Sequence, residues 1–259
     1  MRVLVTRPQG QAAEWVERLR ALGVDATAVP LLGIDAPVDA QAVRRAWADL
    51  ARHRAVMFVS PNAVERFFAA APQTHQPVWP ADVLAAGTGP GTRAALARAG
   101  VPADQVLCPP PESERFDSEA LWPLLRARGP WAGQSLLVVR GEGGRDWLAE
   151  QLRQDGADVH FVEAYRRSAP LLDAKAQSAL SAALARPAAH VWLFSSSEAM
   201  RYLPGLAPGA RWSSAQALAT HPRIAQAAQA LGFGRVDAVP PTPEAVQAWV
   251  TRSIQSPGS

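Results

Sequence analysis

The chain has one cysteine, Cys108, and one lysine, Lys175, among 259 residues. A lone cysteine excludes an internal disulfide framework and any metal site made of several thiolates. No apolar run approaches the ~18 residues of a membrane-crossing helix. The first residues run straight into VLV, without the basic, apolar and small-residue order of a signal peptide, so the cytoplasm is the expected compartment. Basic runs interleaved with aromatics are missing, and no nucleic-acid surface is expected. HExxH, clustered Cys/His and GxSxG are absent, so metal-dependent hydrolysis and serine-esterase chemistry have no support. GTGPGT and GEGGR are rich in glycine but lack both the GxGxxG spacing of a dinucleotide fold and the GK[ST] of a phosphate loop.

What remains is the composition of an ordinary globular protein, 48% hydrophobic and 19% charged. The net charge of +3 is carried almost wholly by arginine, a bias that a GC-rich coding sequence produces. It also gives a mild positive field that suits a polyanionic small molecule.

The strongest internal signal is a repeat. VLVTR (Val3–Arg7) returns as LLVVR (Leu136–Arg140), 133 residues on. VDATAV answers to ADVHFV, FVSPNAV (Phe58–Val64) to FSSSEAM (Phe194–Met200), and GPGTRAALARAG to HPRIAQAAQALG. Two copies of an alternating strand–helix pattern predict two doubly wound, parallel α/β lobes with a small-molecule cleft between them. Strands are expected at Val3–Thr6, Asp25–Leu31, Ala55–Val59, Val83–Ala86, Leu136–Val139, Val159–Val162, Val191–Phe194 and Ala215–Ala219. Helices are expected through Leu22, over Ala40–Ala51, from Pro61 to Phe68 and up to Gly100. Cys108–Glu114, Gly129–Gly133 and Leu203–Arg211 read as spacers, and the tail beyond Ile254 as frayed.

In such sheets ligands bind beyond the carboxyl ends of the strands, and the unusual residues gather in those turns: Arg7-Pro8, Ser60-Pro61-Asn62, Gly89–Thr92, Arg140–Arg145, Ser195–Ser197 and His221–Arg223. Hydroxyls and free N–H groups at helix starts make anion sockets worth ~0.3–1 kcal/mol each. Each residue also has a plainer role: Ser60 and Ser196 as helix caps, the glycines as turn formers, His221 as a loop histidine, and Trp15, Trp147 and Trp249 as core. Residues alone stop at a two-lobed α/β protein with an anion-friendly cleft, and leave a ligand-binding sensor and a nucleotide-sugar transferase open.

The ordered set VLVTRP, FVSPNAVERF, GPGTRAALARAG, LLVVRGEGGRDWLAEQL, VEAYRRS, FSSSEAM, HPRIAQAAQALGF and PTPEAV resembles the uroporphyrinogen-III synthase family over nearly the whole chain. The resemblance implies two flavodoxin-like lobes from an internal duplication, one made of residues 1–33 plus 169–259 and the other of 35–165. A short two-stranded connector near 31–35 and 163–168 would join them. It implies no metal or organic cofactor; a monomer is expected because no long apolar seam marks a stable dimer. The implied substrate is hydroxymethylbilane, a linear tetrapyrrole with eight carboxylates. Its terminal hydroxyl leaves, and closure through a spiro-pyrrolenine inverts the last ring. Transient contact with the preceding pathway enzyme is compatible with so labile a substrate. By motif position, Tyr165 would assist departure of the hydroxyl and point into the cleft. Arg7, Ser60, Asn62, Thr92, Arg140, Gly141, Gly143, Arg145, Ser196 and Ser197 would bind substrate. Ile224 stands where the repeat partner of Thr92 is expected, so the second glycine-type turn lacks its hydroxyl.

Overall fold

The structure, a computed structural model, describes residues 1–72, 78–110, 112–113 and 115–255. Along the chain run β1 (Arg2–Val5), α1 (Gln9–Ala21), β2 (Ala26–Ala28), β3 (Gly33–Asp35), α2 (Ala40–Ala48), β4 (Ala55–Phe58), α3 (Pro61–Ala69), β5 (Leu84–Gly87), α4 (Pro90–Arg98), β6 (Val106–Leu107) and α5 (Ser118–Arg126). There follow β7 (Ser135–Gly141), α6 (Trp147–Gln154), β8 (Asp158–Ser168), α7 (Ala174–Ala185), β9 (His190–Phe194), α8 (Ser197–Met200), α9 (Leu203–Leu206), β10 (Gln216–Ala219), α10 (Pro222–Ala230), β11 (Arg235–Ala238) and α11 (Pro243–Gln255).

Two compact units result. Unit one comprises Met1–Gly33 with Ser168–Ser259, and unit two Ile34–Arg167. Unit one holds a sheet in the order β2-β1-β9-β10-β11, and every neighbouring pair is parallel. This is the 2-1-3-4-5 order of a flavodoxin-like sheet, with its switch point between β1 and β9. The sheet of unit two runs β8-β7-β4-β5-β6, again parallel throughout, with β3 added beside β8.

Burial follows the strand period of two. In β4, Val56 and Phe58 enter one core with Val64 and Phe67 of α3, while Ala55 and Met57 enter another with Leu121 of α5 and Leu148 of α6. Both faces are thus covered by helices, as strands with continuous apolar runs require. In unit one, Val3 and Val5 pack against Trp15 and Leu19 of α1 and Trp249 of α11. Beyond that core, Trp192, Phe194, Trp212 and Phe233 form an aromatic cluster with centroids 5.1–6.2 Å apart.

Helix starts carry the expected caps. Asp39, Ser60, Asp117, Asp173 and Ser196 each accept the N–H of the residue three positions on. Gly23 and Gly156, the stops after α1 and α6, have φ of 78° and 83°, a region open to glycine at little cost.

Several expected boundaries need correction. β2 ends at Ala28 rather than reaching Leu31, although the Val29 and Leu31 N–H groups still donate to the Val5 and Thr6 carbonyls. β8 does not stop at Val162 but continues to Ser168. Gly129–Gly133 is no spacer: Trp131 at its centre is 1% exposed and its Nε1 donates to the Leu125 carbonyl. Leu203–Arg211 contains α9, with Leu203 fully buried. Trp15 and Trp249 are core, while Trp147 is only partly buried. Pro111 and Glu114 of the expected proline-rich spacer, and residues 256–259 of the tail, lie outside the described residues.

Candidate functional site

The expected site residues lie at or just beyond the carboxyl ends of parallel strands, and in unit two Ser60 and Gly141 meet at the Tyr165 phenol. Strand β8 opposes β7 residue for residue up to Arg140↔Glu163, and the next pair is Gly141↔Tyr165. One residue more is used on β8 than on β7, which makes a β-bulge. Simple alternation would put Tyr165 on the face of Phe161 and Glu163. The bulge turns it instead into the core that holds Val162, Ala164 and Phe58. Expected to point into a cleft, the Tyr165 ring is in fact 1% exposed and packed within unit two.

Three neighbours fix the phenol. Gly141 lies against its ring, and a Cβ there would stand 2.7 Å from both Cε2 and Cζ. Only a residue without a side chain leaves room for the ring in this place. Ser60 Oγ lies 3.0 Å from the phenol oxygen, and the same Oγ accepts the Ala63 N–H at 3.2 Å to cap α3. The Arg167 guanidinium donates through Nη2 to the phenol oxygen at 3.3 Å and through Nη1 to the Glu142 carbonyl at 3.2 Å. The Glu142 N–H in turn donates to the Tyr165 carbonyl at 2.9 Å. Ser60 is therefore both a helix cap and a partner of Tyr165, where the sequence offers it as a cap or a substrate contact.

The other expected residues of unit two are arranged less openly. Asn62 is half-buried in the first turn of α3. Thr92 is 3% exposed, and a Cβ at Gly87 would meet its methyl at 2.8 Å, so this glycine serves packing. Arg140 is paired with Asp146 and lies 4.2 Å over the Phe161 ring, while its buried Nε has no hydrogen-bond partner. Arg145 makes two bonds to Glu119, at 2.8 and 3.2 Å, and this holds the Glu119 carboxyl below its ordinary range. The Gly143 N–H faces Glu163 Oε1 at 3.4 Å. Both guanidinium groups of this loop thus already have carboxylate partners.

Unit one presents a simpler set. Ser196 caps α8, Ser197 is exposed in its first turn, and the His221 Nδ1 accepts the Arg223 N–H. Arg7 stands just past β1, at the repeat position that Arg140 takes within the last residues of β7, and lies 4.3 Å over the Trp15 ring with its buried Nε unpartnered. Burial pushes its pKa down to about 10, against an opposing pull from Glu14. A buried guanidinium N–H without an acceptor is costly unless a ligand completes it.

Arg167 was not singled out from the sequence. In VEAYRRS two arginines follow the tyrosine, and with β8 ended at Val162 nothing distinguishes them. Its signal is the two-residue strand spacing from Tyr165, visible only once β8 is known to continue. Among the described residues no group of three or more His, Cys, Asp or Glu could hold a metal ion, and no helix is long and apolar enough to cross a membrane.

Two flavodoxin-like α/β units, each with hydroxyls and arginines at or just beyond its strand ends, define a doubly wound α/β protein. Comparison with known proteins is more specific. The model of the family described as "Uroporphyrinogen-III synthase HemD" matches residues 13–248, and the chain belongs to the uroporphyrinogen-III synthase family. It is 35% identical over 173 residues to uroporphyrinogen-III synthase of Salmonella typhimurium, covering 67% of this chain and 68% of that protein. It is 34% identical to the protein of the same name from Escherichia coli, with 65% and 66% covered. Among solved structures, uroporphyrinogen-III synthetase from Helicobacter pylori is similar with a TM-score of 0.58 at 16% identity, covering 98% of this chain and all of that one. A mutant uroporphyrinogen III synthase from Thermus thermophilus gives a TM-score of 0.57 at 17% identity, covering 98% and 99%. At such identities the structural likeness speaks for the fold.

Proposed function

We propose that this chain converts hydroxymethylbilane to uroporphyrinogen III, with loss of water and inversion of the terminal ring. The observation that carries the mechanism is the bulge at β8, which delivers the Tyr165 phenol to Ser60. The pair holds two O–H protons and uses one between them, so one remains to be offered outward. Donated to the substrate hydroxyl, it lets the C–O electron pair leave with oxygen as water. The pyrrole nitrogen supplies electrons to the exocyclic carbon, giving an azafulvene that the last ring then attacks at its substituted carbon. Free in solution, the same substrate closes at the nearer carbon. Most of the protein's contribution is then to hold one attack geometry.

Helix N-termini at Ser60, Gly89, Ser196 and His221 and the half-buried Arg7 support the binding of acetate and propionate groups. We assign substrate contact on these grounds to Arg7, Ser60, Asn62, Ser196 and Ser197. Arg140, Gly141, Gly143 and Arg145 frame the loop after β7, with Thr92 behind the neighbouring turn. A duplication is supported by the registers: Val3 opposes Ala26 in β1–β2, and 133 residues later Leu136 opposes Val159 in β7–β8. The chain passes between units within β3 and β8, which pair side by side, and we read these strands as the connector.

The deciding experiment supplies hydroxymethylbilane to the purified protein, oxidises the products, and separates type I from type III isomers. Type III in excess is expected. Type I alone at the uncatalysed rate rejects the reading.

A further inference from the structure

We infer that Arg167 is a positioning residue for Tyr165: it fixes which way the phenol proton points and stabilises the oxygen that the proton leaves. The inference rests on the function proposed above. A phenol that is 1% exposed has almost no water to support charge when it gives up a proton. The guanidinium hydrogen bonded to that oxygen is the compensating group. Guanidinium nitrogens only donate, so Arg167 occupies one lone pair of the phenol oxygen and cannot compete for the proton. Ser60 Oγ, already accepting the Ala63 N–H, shares the other side. As the proton passes to the departing hydroxyl, its bonding electron pair stays on the phenol oxygen facing Arg167. The proton returns from the pyrrole N–H of the cation left by the departing water, and its loss gives the neutral azafulvene.

Arg167 is itself held. Nη1 is tied to the Glu142 carbonyl, and its Cζ lies 5.4 Å from the centroid of the Tyr165 ring. Both anchors belong to the strand end that the bulge creates. Preorganised charge of this kind matters most where water is excluded.

The test is a double-mutant cycle read by steady-state kinetics on hydroxymethylbilane with isomer analysis: wild type, Arg167→Met, Tyr165→Phe and the double variant, with Arg167→Lys as the conservative control. Arg167→Met is expected to lower kcat ~10-fold with KM within ~2-fold, and Lys, a single-point donor, to restore part of it. In the Tyr165→Phe background, which has no phenol oxygen, the Met substitution should add less than ~2-fold. An equal loss in both backgrounds, or a loss confined to KM, overturns the inference and makes Arg167 a direct substrate ligand.

A second readout needs no turnover. Tyr165 and Tyr202 are the two tyrosines, so in a Tyr202→Phe background a ¹³Cζ-tyrosine resonance reports on Tyr165 alone. It should move on Arg167→Met and less on Arg167→Lys; an unmoved resonance overturns the inference. Should Arg167→Met fail to fold, the Lys variant carries both readouts, and wild-type kcat with an unmoved resonance sinks the idea. Wild type that forms only type I rejects the proposed function, whereas active wild type with indifferent Arg167 variants rejects this inference alone.

Discussion

Units one and two share a strand order, a parallel register and a serine cap after the third strand of the sheet motif, yet differ in what surrounds that serine. In unit two, Ser60 meets Tyr165. At the 133-residue spacing the residue in unit one that corresponds to Tyr165 is Leu32, 6% exposed and without a polar group. The arginines differ in the opposite sense. Both keep a buried Nε without an acceptor, but Arg140 is paired with Asp146, while Arg7 lies over the Trp15 ring and feels only the more distant pull of Glu14. The two units thus share a strand order but differ in their polar groups: a hydrogen-bonded Ser60–Tyr165–Arg167 set in unit two, and in unit one a buried arginine without an ion pair at hydrogen-bond distance.

Breaking the asymmetry at its centre has the largest expected effect. Tyr165→Phe should lower kcat ~100-fold in an isomer-resolved assay, while the substrate's own reactivity keeps activity measurable. Gly141→Ala should match it, since the new methyl displaces the ring. Wild-type turnover in either would remove Tyr165 from the mechanism.

Ser60→Ala and Ser196→Ala sharpen the contrast. Each loses a cap worth ~1 kcal/mol, so denaturation midpoints should fall alike. KM should rise in both, but kcat should fall, ~10-fold, only for Ser60→Ala, because only Ser60 touches the phenol. Matched kcat values would show two equivalent sockets.

The arginines are compared by stability. Because the Arg7 pKa is depressed to about 10, its charged form is the costly one, and that cost is fully present at neutral pH. It is relieved as pH rises through the folded value towards the ordinary guanidinium value, the window in which the unfolded chain binds more protons. Arg7→Met should therefore stabilise the protein at pH 7 by ~2 kcal/mol once solvent screening is allowed for, while weakening substrate binding. Arg140→Met strands Asp146 and should not stabilise. Urea melts of the pair decide the matter.

The smallest effect is in acid. Glu119 is held below its ordinary range by Arg145, so this contribution is present above the unfolded carboxylate value and fades as pH falls through the folded one. Glu119→Gln should flatten that acid limb by less than ~1 kcal/mol, the pair being partly exposed. An unchanged profile would show that the pair adds nothing.

The α/β class and the parallel strands were legible because buried parallel strands read as apolar runs and helices as 3.6-residue stripes, plain in VLV, AVMF and LLVV. Short edge strands were not: β6 has two residues and β11 is partly exposed, so neither shows a pattern. From its apolar run β8 was legible only to Val162, and its extension over 163–168 only through the family resemblance, because Glu163, Arg166 and Arg167 are charged and their strand partners come from distant parts of the chain. The residues at the site were largely visible as motifs, but their geometry was not. A bulge leaves no mark in hydrophobic alternation, and alternation alone sends Tyr165 to the wrong face. Ion pairs such as Arg145–Glu119 join residues 26 apart and escape local reading altogether.

The threading of the chain sets a timetable for biosynthesis. Strand β1 needs β9 on its flank, and β9 begins at His190, after all of unit two. At ~5–20 residues per second, the opening segment leaves the ribosome and waits several seconds with an unsatisfied edge while unit two is made and can close. Moving the start of translation to the far side of β3, in a circular permutant, would abolish that delay. Such a permutant should refold to the same sheets yet aggregate less when expressed quickly.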